Sequence, residues 1–266
     1  MVHTPGKILA KRGQKQMGKI TSGEKGQTTT ALCAMNASGT YLPPMLIFRR
    51  QRFTELLLKG SPPGTIGAVS SNGWIDSELF LKWLNHFVMF TKPSPQQKVI
   101  LIVDGHASHK SLDVVEYASE QGVVMISLPP HTTHRMQPLD KTFFGPLKGA
   151  YNKVCDQWML SHLGQRITCY DQAGLFGAAY NTVASVGKAV SGFQSTGIWP
   201  PNEDIFTDDY FAPSLMTQNE DQVQHESNEA STNAANKPQT STNLVCVNET
   251  VREQPSEIMK HRKTIR

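Results

Sequence analysis

The feature that most limits how this chain can fold is the stretch KVILIVDGHASHK, Lys98 to Lys110. Five consecutive apolar residues, Val99 to Val103, leave no polar face for water, the pattern of a strand buried on both sides in a parallel sheet. The run stops at a carboxylate, Asp104. In open α/β sheets ligands and reactive groups collect at the carboxyl ends of strands, so Asp104 is a candidate site residue. A second stretch, LPPHTTHRMQPLD, supplies another acid at Asp140. Pro138 favours the first turn of a helix, which sets Asp140 near the positive end of the helix dipole. Two carboxylates brought together this way suit Mg²⁺ or Mn²⁺, and two such ions can stabilise both the attacking and the leaving oxygen of a phosphoryl displacement.

Composition narrows the field. A chain of 266 residues with 38% apolar content has room for one substantial domain and a tail. No window approaches the roughly 20 apolar residues of a membrane-spanning helix, and His3, Lys7 and Lys11 follow Met1 where a secretory signal would be apolar, so an intracellular protein is expected. Cys33, Cys155, Cys169 and Cys246 form no close pair of the kind structural zinc uses and are too sparse for a disulfide framework. The net charge of +4 is uneven: the chain through Asn202 carries 20 basic and 11 acidic side chains, and the remainder is acidic. Residues 1–60 alone hold ten basic and two acidic side chains, and a basic surface beside two carboxylates suits a polyanionic substrate.

In chain order, residues 1–27 read as loop with one brief strand near Ile8 to Ala10, and Thr28 to Met35 and Tyr41 to Phe48 as a hairpin about the NASG turn. Pro43 and Pro44 make the second strand an edge, or one that starts properly at Met45. A third strand is expected over Gly64 to Ser70. A helix capped by Asp76 follows, burying Leu79, Phe80, Trp83, Leu84, Phe87 and Val88, with Ile75 and Phe80 as a hydrophobic staple. After the central strand come a helix from Ser111 to Gln121, stopped by Gly122, and a parallel strand, Val123 to Leu128. Phe143, Phe144, Leu147, Tyr151, Val154, Cys155 and Trp158 recur at helical spacing, interrupted by Gly145 and Pro146. One further helix is expected over Gln172 to Ala189, and a turn-rich closing segment, Gly192 to Phe206, that Trp199 anchors against the core. From about Pro213 the chain turns polar, so residues 207–266 are expected to be a disordered tail, ending in the basic KHRKTIR.

The motifs VDGHASH, SLPPHTTHRMQPLD, FFGPLKGAYN and SGFQSTGIWPPN, in this order, resemble the DDE superfamily endonuclease domain of pogo, Tigger and jerky type transposases and their domesticated relatives. The resemblance covers residues 1–206 and implies an α/β, ribonuclease-H-like mixed sheet flanked by helices. It also implies two Mg²⁺ (or Mn²⁺) ions held by three acids, with DNA strand cleavage and transfer by in-line attack. On that reading Asp104 is the second acid and Asp140 the third. The first would sit in a DETG-like motif on a strand preceding VHTPGK, outside this sequence; Asp76 and Asp113 are poor substitutes, and Gly105 stands where the family usually has Asn. The expectation is therefore an N-terminally truncated domain whose sheet lacks the strand between the hairpin and the parallel unit, leaving a slot of unpaired backbone groups.

Around the acids, His106 and His109 with His131 and His134 make two H-x-x-H pairs, for which a transition-metal site is a rival reading. His106, His109, His134, Arg135 and Lys141 are candidates for hydrogen-bonding and orienting the acids or for phosphate contact, and Lys11, Arg12, Lys15 and Lys19 for the DNA backbone, followed by Arg49, Arg50 and Arg52. The expected protein is a nuclear, transposase-derived, nucleic-acid-binding domain. Its DNA binding should be weakly selective, its protein partners reached through the tail, with no membrane role and no independent nuclease activity. The competing expectation is a domesticated binding module without chemistry.

Overall fold

The computed structural model describes residues 29–129 and 132–206 and the backbone of 243–249. The β-prone runs flanking the NASG turn form the expected antiparallel hairpin, β1 (Thr29–Asn36) and β2 (Tyr41–Arg49). The prolines of β2 are absorbed by a bulge: Leu32 pairs with Met45 and Ala34 with Leu42, so Cys33 alone stands against Pro43 and Pro44. β3 (Ile66–Ser70) runs parallel to β2 and starts pairing at Met45, beyond both prolines. β2 is thus an inner strand rather than an edge, and no ladder donor is asked of either proline on the β3 side.

Asp76 caps α1 (Ser77–Thr91) by accepting the Leu79 N–H at 2.8 Å. Phe80, Trp83, Leu84 and Phe87 are fully buried beneath it, with Ile75 beside them as the staple requires. β4 (Val99–Val103), α2 (Leu112–Glu120) and β5 (Val123–Ser127) make the strand, helix, strand unit, with β4 and β5 parallel. Gly122, at φ 78°, makes the turn between α2 and β5. A Cβ there would lie 2.4 Å from the Ser94 carbonyl oxygen, so both the dihedral and the space demand glycine.

Five α-helices follow β5: α3 (Thr133–Met136), α4 (Pro138–Thr142), α5 (Phe144–Ser161), α6 (Cys169–Val183) and α7 (Val186–Ser195). The interruption expected near Gly145 falls at Phe143, and Pro146 occupies the first turn of α5, where its missing N–H takes no hydrogen bond from the helix. The single helix expected over Gln172 to Ala189 is two, because Ser185 leaves helical geometry and its Oγ accepts the Lys188 N–H at 3.4 Å to start α7. Gly192 belongs to α7 rather than to a loop. Trp199 does not anchor the closing segment: it is 50% exposed, and its neighbour Ile198 packs against the core instead.

Six strands form one sheet in the order β3-β2-β1-β6-β4-β5. β6 (Asn243–Glu249) bears on two expectations. It lies inside the segment expected to be disordered, and it fills the slot expected to be vacant, antiparallel to β1 and parallel to β4. The signal is the apolar run Leu244 to Val247, which a composition averaged over the polar tail conceals. The rest of 207–266, including KHRKTIR, lies outside the described residues, as do Ile8 to Ala10.

Strand alternation builds two cores. Ala31, Cys33, Met35, Leu46, Phe48 and Ile102 join the layer of α4 to α7, whereas Leu32, Met45, Ile47, Leu101 and Val103 join that of α1 and α2. The alternation persists at β5, but there Val124 and Ile126, on the face opposite Val123 and Met125, are 40% and 45% exposed, so no described helix covers that face of the sheet's edge.

Candidate active site

Asp104 is the first residue past β4, and the chain turns sharply there into a 3-10 turn, Ala107–His109. That turn folds back on the acid. The His106 N–H donates to Asp104 Oδ1 at 3.1 Å, and His109 Nδ1 lies 3.1 Å from the same oxygen. His109 Nδ1 also lies 3.4 Å from the Asp104 carbonyl oxygen; both neighbours are acceptors, so this nitrogen carries the hydrogen. The ring is buried against Phe80 of α1, 4.2 Å between centroids, and its Nε2 has no partner among the described residues. Ser127 Oγ, at the end of β5, donates to the Asp104 carbonyl oxygen at 3.4 Å.

Burial pushes the Asp104 carboxyl up, but the hydrogen bond and charge of His109, with the His106 N–H and charge, outweigh it and hold the group below the usual carboxylate range. Asp104 is therefore ionised at neutral pH. Its hydrogen bonds all fall on Oδ1; Oδ2 receives none among the described residues, and the side chain is 17% exposed. One oxygen is held and the other takes no hydrogen bond from a described residue, an arrangement compatible with an acid that meets a cation or a proton.

The other candidates divide. His106 Nδ1 accepts the Ser108 N–H at 3.3 Å and lies 2.7 Å from Ser108 Oγ, while burial and the charge of His109, opposed by Asp104, lower its pKa. His109, buried behind Asp104, supports the acid and has no exposed edge to offer a phosphate. Arg135 Nε donates to His134 Nε2 at 3.1 Å, and His134 and Lys141 are exposed. Arg50 lies over the Tyr170 ring at 5.0 Å and donates to Cys169 Sγ at 3.2 Å, tying the end of β2 to α6. His131, Lys11, Arg12, Lys15 and Lys19 lie outside the described residues.

Asp140 is half-buried in the first turn of α4, between fully buried Leu139 and exposed Lys141. Its helix is held by α7: Thr142 Oγ1 donates to the Lys188 carbonyl oxygen at 2.8 Å. At Gly192 a Cβ would lie 2.9 Å from the Pro138 carbonyl oxygen and 2.8 Å from Thr142 Oγ1. Gly192, read from sequence only as part of a turn-rich segment, is thus what lets α7 lie close enough to position the helix of Asp140. Among the described residues, no three His, Cys, Asp or Glu side chains gather as a metal-holding group. The described side chains therefore do not by themselves provide the donor set of a Mg²⁺ or Mn²⁺ centre, and no cleavage step is derived through one.

A mixed α/β sheet between helical layers thus sets an ionised acid at the carboxyl end of an inner parallel strand, where ligands collect in open α/β sheets. Residues 25–191 match the family model of the DDE superfamily endonuclease, and the chain belongs to that family. It is 32% identical over 201 residues to a Cochliobolus lunatus protein named MFS-type transporter clz9, a match covering 74% of this chain and 22% of that one. It is 26% identical over 153 residues to the human and mouse proteins named pogo transposable element with KRAB domain, covering 56% of this chain and 24% of theirs. The chain thus spans about a quarter of the length of these relatives. No solved structure matches it. Among the described residues no helix is long and apolar enough to cross a membrane.

Proposed function

We propose that this is a transposase-derived, ribonuclease-H-like domain that binds DNA in the nucleus and keeps, in Asp104 with Asp140, part of a metal-dependent strand-cleaving site. The order of the sheet, with a parallel pair beside an antiparallel hairpin, supports the ribonuclease-H-like reading. The basic excess through Asn202 and the pogo transposable element relatives support DNA as the partner. The observation that carries the reading is Asp104 itself: ionised, and gripped through Oδ1 at the end of β4 with no described hydrogen bond on Oδ2. Such an acid could ligate a divalent ion or take a proton from an attacking hydroxyl. His109 and the His106 N–H position it, and Ser127 steadies its backbone.

A second reading, a DNA-binding module without chemistry, draws its support from the lack of a three-donor group among the described residues. Supercoiled plasmid with Mg²⁺ or Mn²⁺ separates the two. If the domain cleaves, nicking disappears in Asp104→Ala and in Asp140→Ala while DNA binding persists in both. If it is a module, the unaltered chain binds the plasmid without nicking it, and neither substitution changes the affinity.

A further inference from the structure

The sheet has two outer edges, β3 and β5, and they differ in how they meet solvent. At β3 the Arg50 N–H donates to the Ser70 carbonyl oxygen at 3.2 Å, so by strand alternation Gly67 and Val69 turn their backbone groups outward. Lys82 Nζ donates to the Gly67 carbonyl oxygen at 2.8 Å, which sets a charged side chain on that edge. A lysine there deters pairing with a further strand. At β5 the Leu128 N–H donates to the Val103 carbonyl oxygen at 3.0 Å, and the Gly122 carbonyl oxygen accepts the Val99 N–H at 3.1 Å. The even-numbered residues of β5 thus face β4, and Val123, Met125 and Ser127 turn their backbone N–H and C=O groups outward, where they take no hydrogen bond from a described residue. No residue from Gly122 to Leu128 is charged.

Both faces of this second edge are apolar. Val124 and Ile126 are exposed on one. Over the other lies α2, whose Tyr117 hydroxyl donates to Asn85 of α1 at 2.6 Å. The opposite flank of α2, toward the β5 edge, carries Leu112, Val115 and Ser119 at helical spacing. Leu112 and Val115 are 69% and 48% exposed, while Asp113, Glu116 and Glu120 fall outside this flank. A cavity of about 410 Å³ between α2 and β5 is lined by Lys110, Val115, Ser119, Met125 and Ser127 among others.

We propose that the β5 edge joins a second copy of this chain, antiparallel β5 to β5 about a two-fold axis at Met125, in one continuous sheet. Three observations select a second copy as the occupant. The outward residues are self-complementary in register: Met125 meets the partner's Met125, and Val123 meets the partner's Ser127, so every outward N–H and C=O of the strand is paired. On the open face the same register sets Val124 beside the partner's Ile126, an apolar β-branched pair that the symmetry repeats. The antiparallel arrangement also turns the two uncharged α2 flanks toward each other. It brings Lys110, at the start of one α2, toward the partner's Glu120 and the terminal carbonyls at the end of the other, so the facing charges are opposite. A foreign strand need match none of these. The two copies of Asp104 then lie toward opposite ends of the joined sheet, and one dimer carries two separate candidate sites.

Sedimentation velocity of the full chain over a range of concentrations tests this. A reversible monomer–dimer equilibrium with a micromolar Kd is expected, and a chain that stays monomeric up to about 200 µM overturns the proposal. Met125→Pro removes an outward N–H without touching the ladder to β4, so it should abolish the dimer while the β4 amides stay protected from hydrogen exchange. Lys110→Glu should weaken the dimer about fivefold, and combining it with Glu120→Lys should restore the parent affinity. On oxidation Met125→Cys should form an intermolecular disulfide, because directly opposed residues lie about 5.5 Å apart, whereas Val124→Cys, two residues out of register with its own copy, should not. A dimer that persists in Met125→Pro, or that links as readily through Val124→Cys, overturns the proposal. So does protection of the Met125 amide in a monomer at every concentration, because the edge is then paired by this chain's own residues.

Discussion

Asp104 depends on two donors for its charge, and their removal has a pH signature. Its folded pKa lies below the unfolded value of about 3.9, because His109 and the His106 N–H together outweigh burial. A depressed carboxyl contributes stability above its unfolded pKa and loses it as pH falls through the folded value. His109→Phe keeps an aromatic ring against Phe80 but removes the Nδ1 donor, so burial acts with less opposition and the folded pKa of Asp104 rises. We expect this variant to be less stable than the parent by about 1–3 kcal/mol near neutral pH, with the gap closing as pH falls below about 4. Urea denaturation across that range measures it. A gap that stays constant down to acid pH would mean that ring packing, not the pairing with Asp104, is what His109 contributes.

At the level of elements, the position of Asp140 is set by helices that do not contain it. α4 is too short to hold itself in place, so its orientation follows from its seat on α7. Gly192 is the contact point, with the Pro138 carbonyl, Thr142 Oγ1 and the Met35 side chain all closing on it. In Gly192→Ala the methyl group must push α4 and α7 apart, and we expect a loss of about 1–3 kcal/mol from overpacking, although alanine is the better helix former. Chemical denaturation reads that loss. If Asp140 serves the site, DNA nicking or metal affinity should fall in this variant beyond what the lost stability explains. A chain as stable as the parent would show that the close approach at Gly192 is not tight enough to matter.

Over the whole molecule, charge and sheet closure are the governing terms. The chain is strongly basic through Asn202 and acidic beyond it, so contacts to a phosphate backbone should dominate any DNA affinity. We expect binding to be weakly selective for sequence and to fall at least tenfold between about 50 and 200 mM salt, with a log-log slope near −0.9 for each phosphate contacted. Fluorescence anisotropy with two unrelated duplexes checks both parts. A shallow slope, or a large preference for one duplex, would point to base readout rather than to the basic surface.

How much of this was legible in the residues differs from one part of the chain to another. The apolar run ending at Asp104, the Asp76 cap with its staple, and the unit closed by Gly122 could be read directly, because periodicity, caps and turn residues act over a few neighbours. The break at Ser185 and the exposure of Trp199 could not, since each depends on what packs against the segment rather than on its own composition. The same holds for the grip of His109 on Asp104 and for Gly192 beneath α4, which unite residues through folded contacts. β6 is the extreme case. Leu244 to Val247 states only that these residues can form a strand; that they lie between β1 and β4 was decided by backbone pairing with two strands distant in sequence. Local chemistry thus determined the pieces and the acid at the end of β4, while the pairing of distant backbone groups decided how the sheet closes around it.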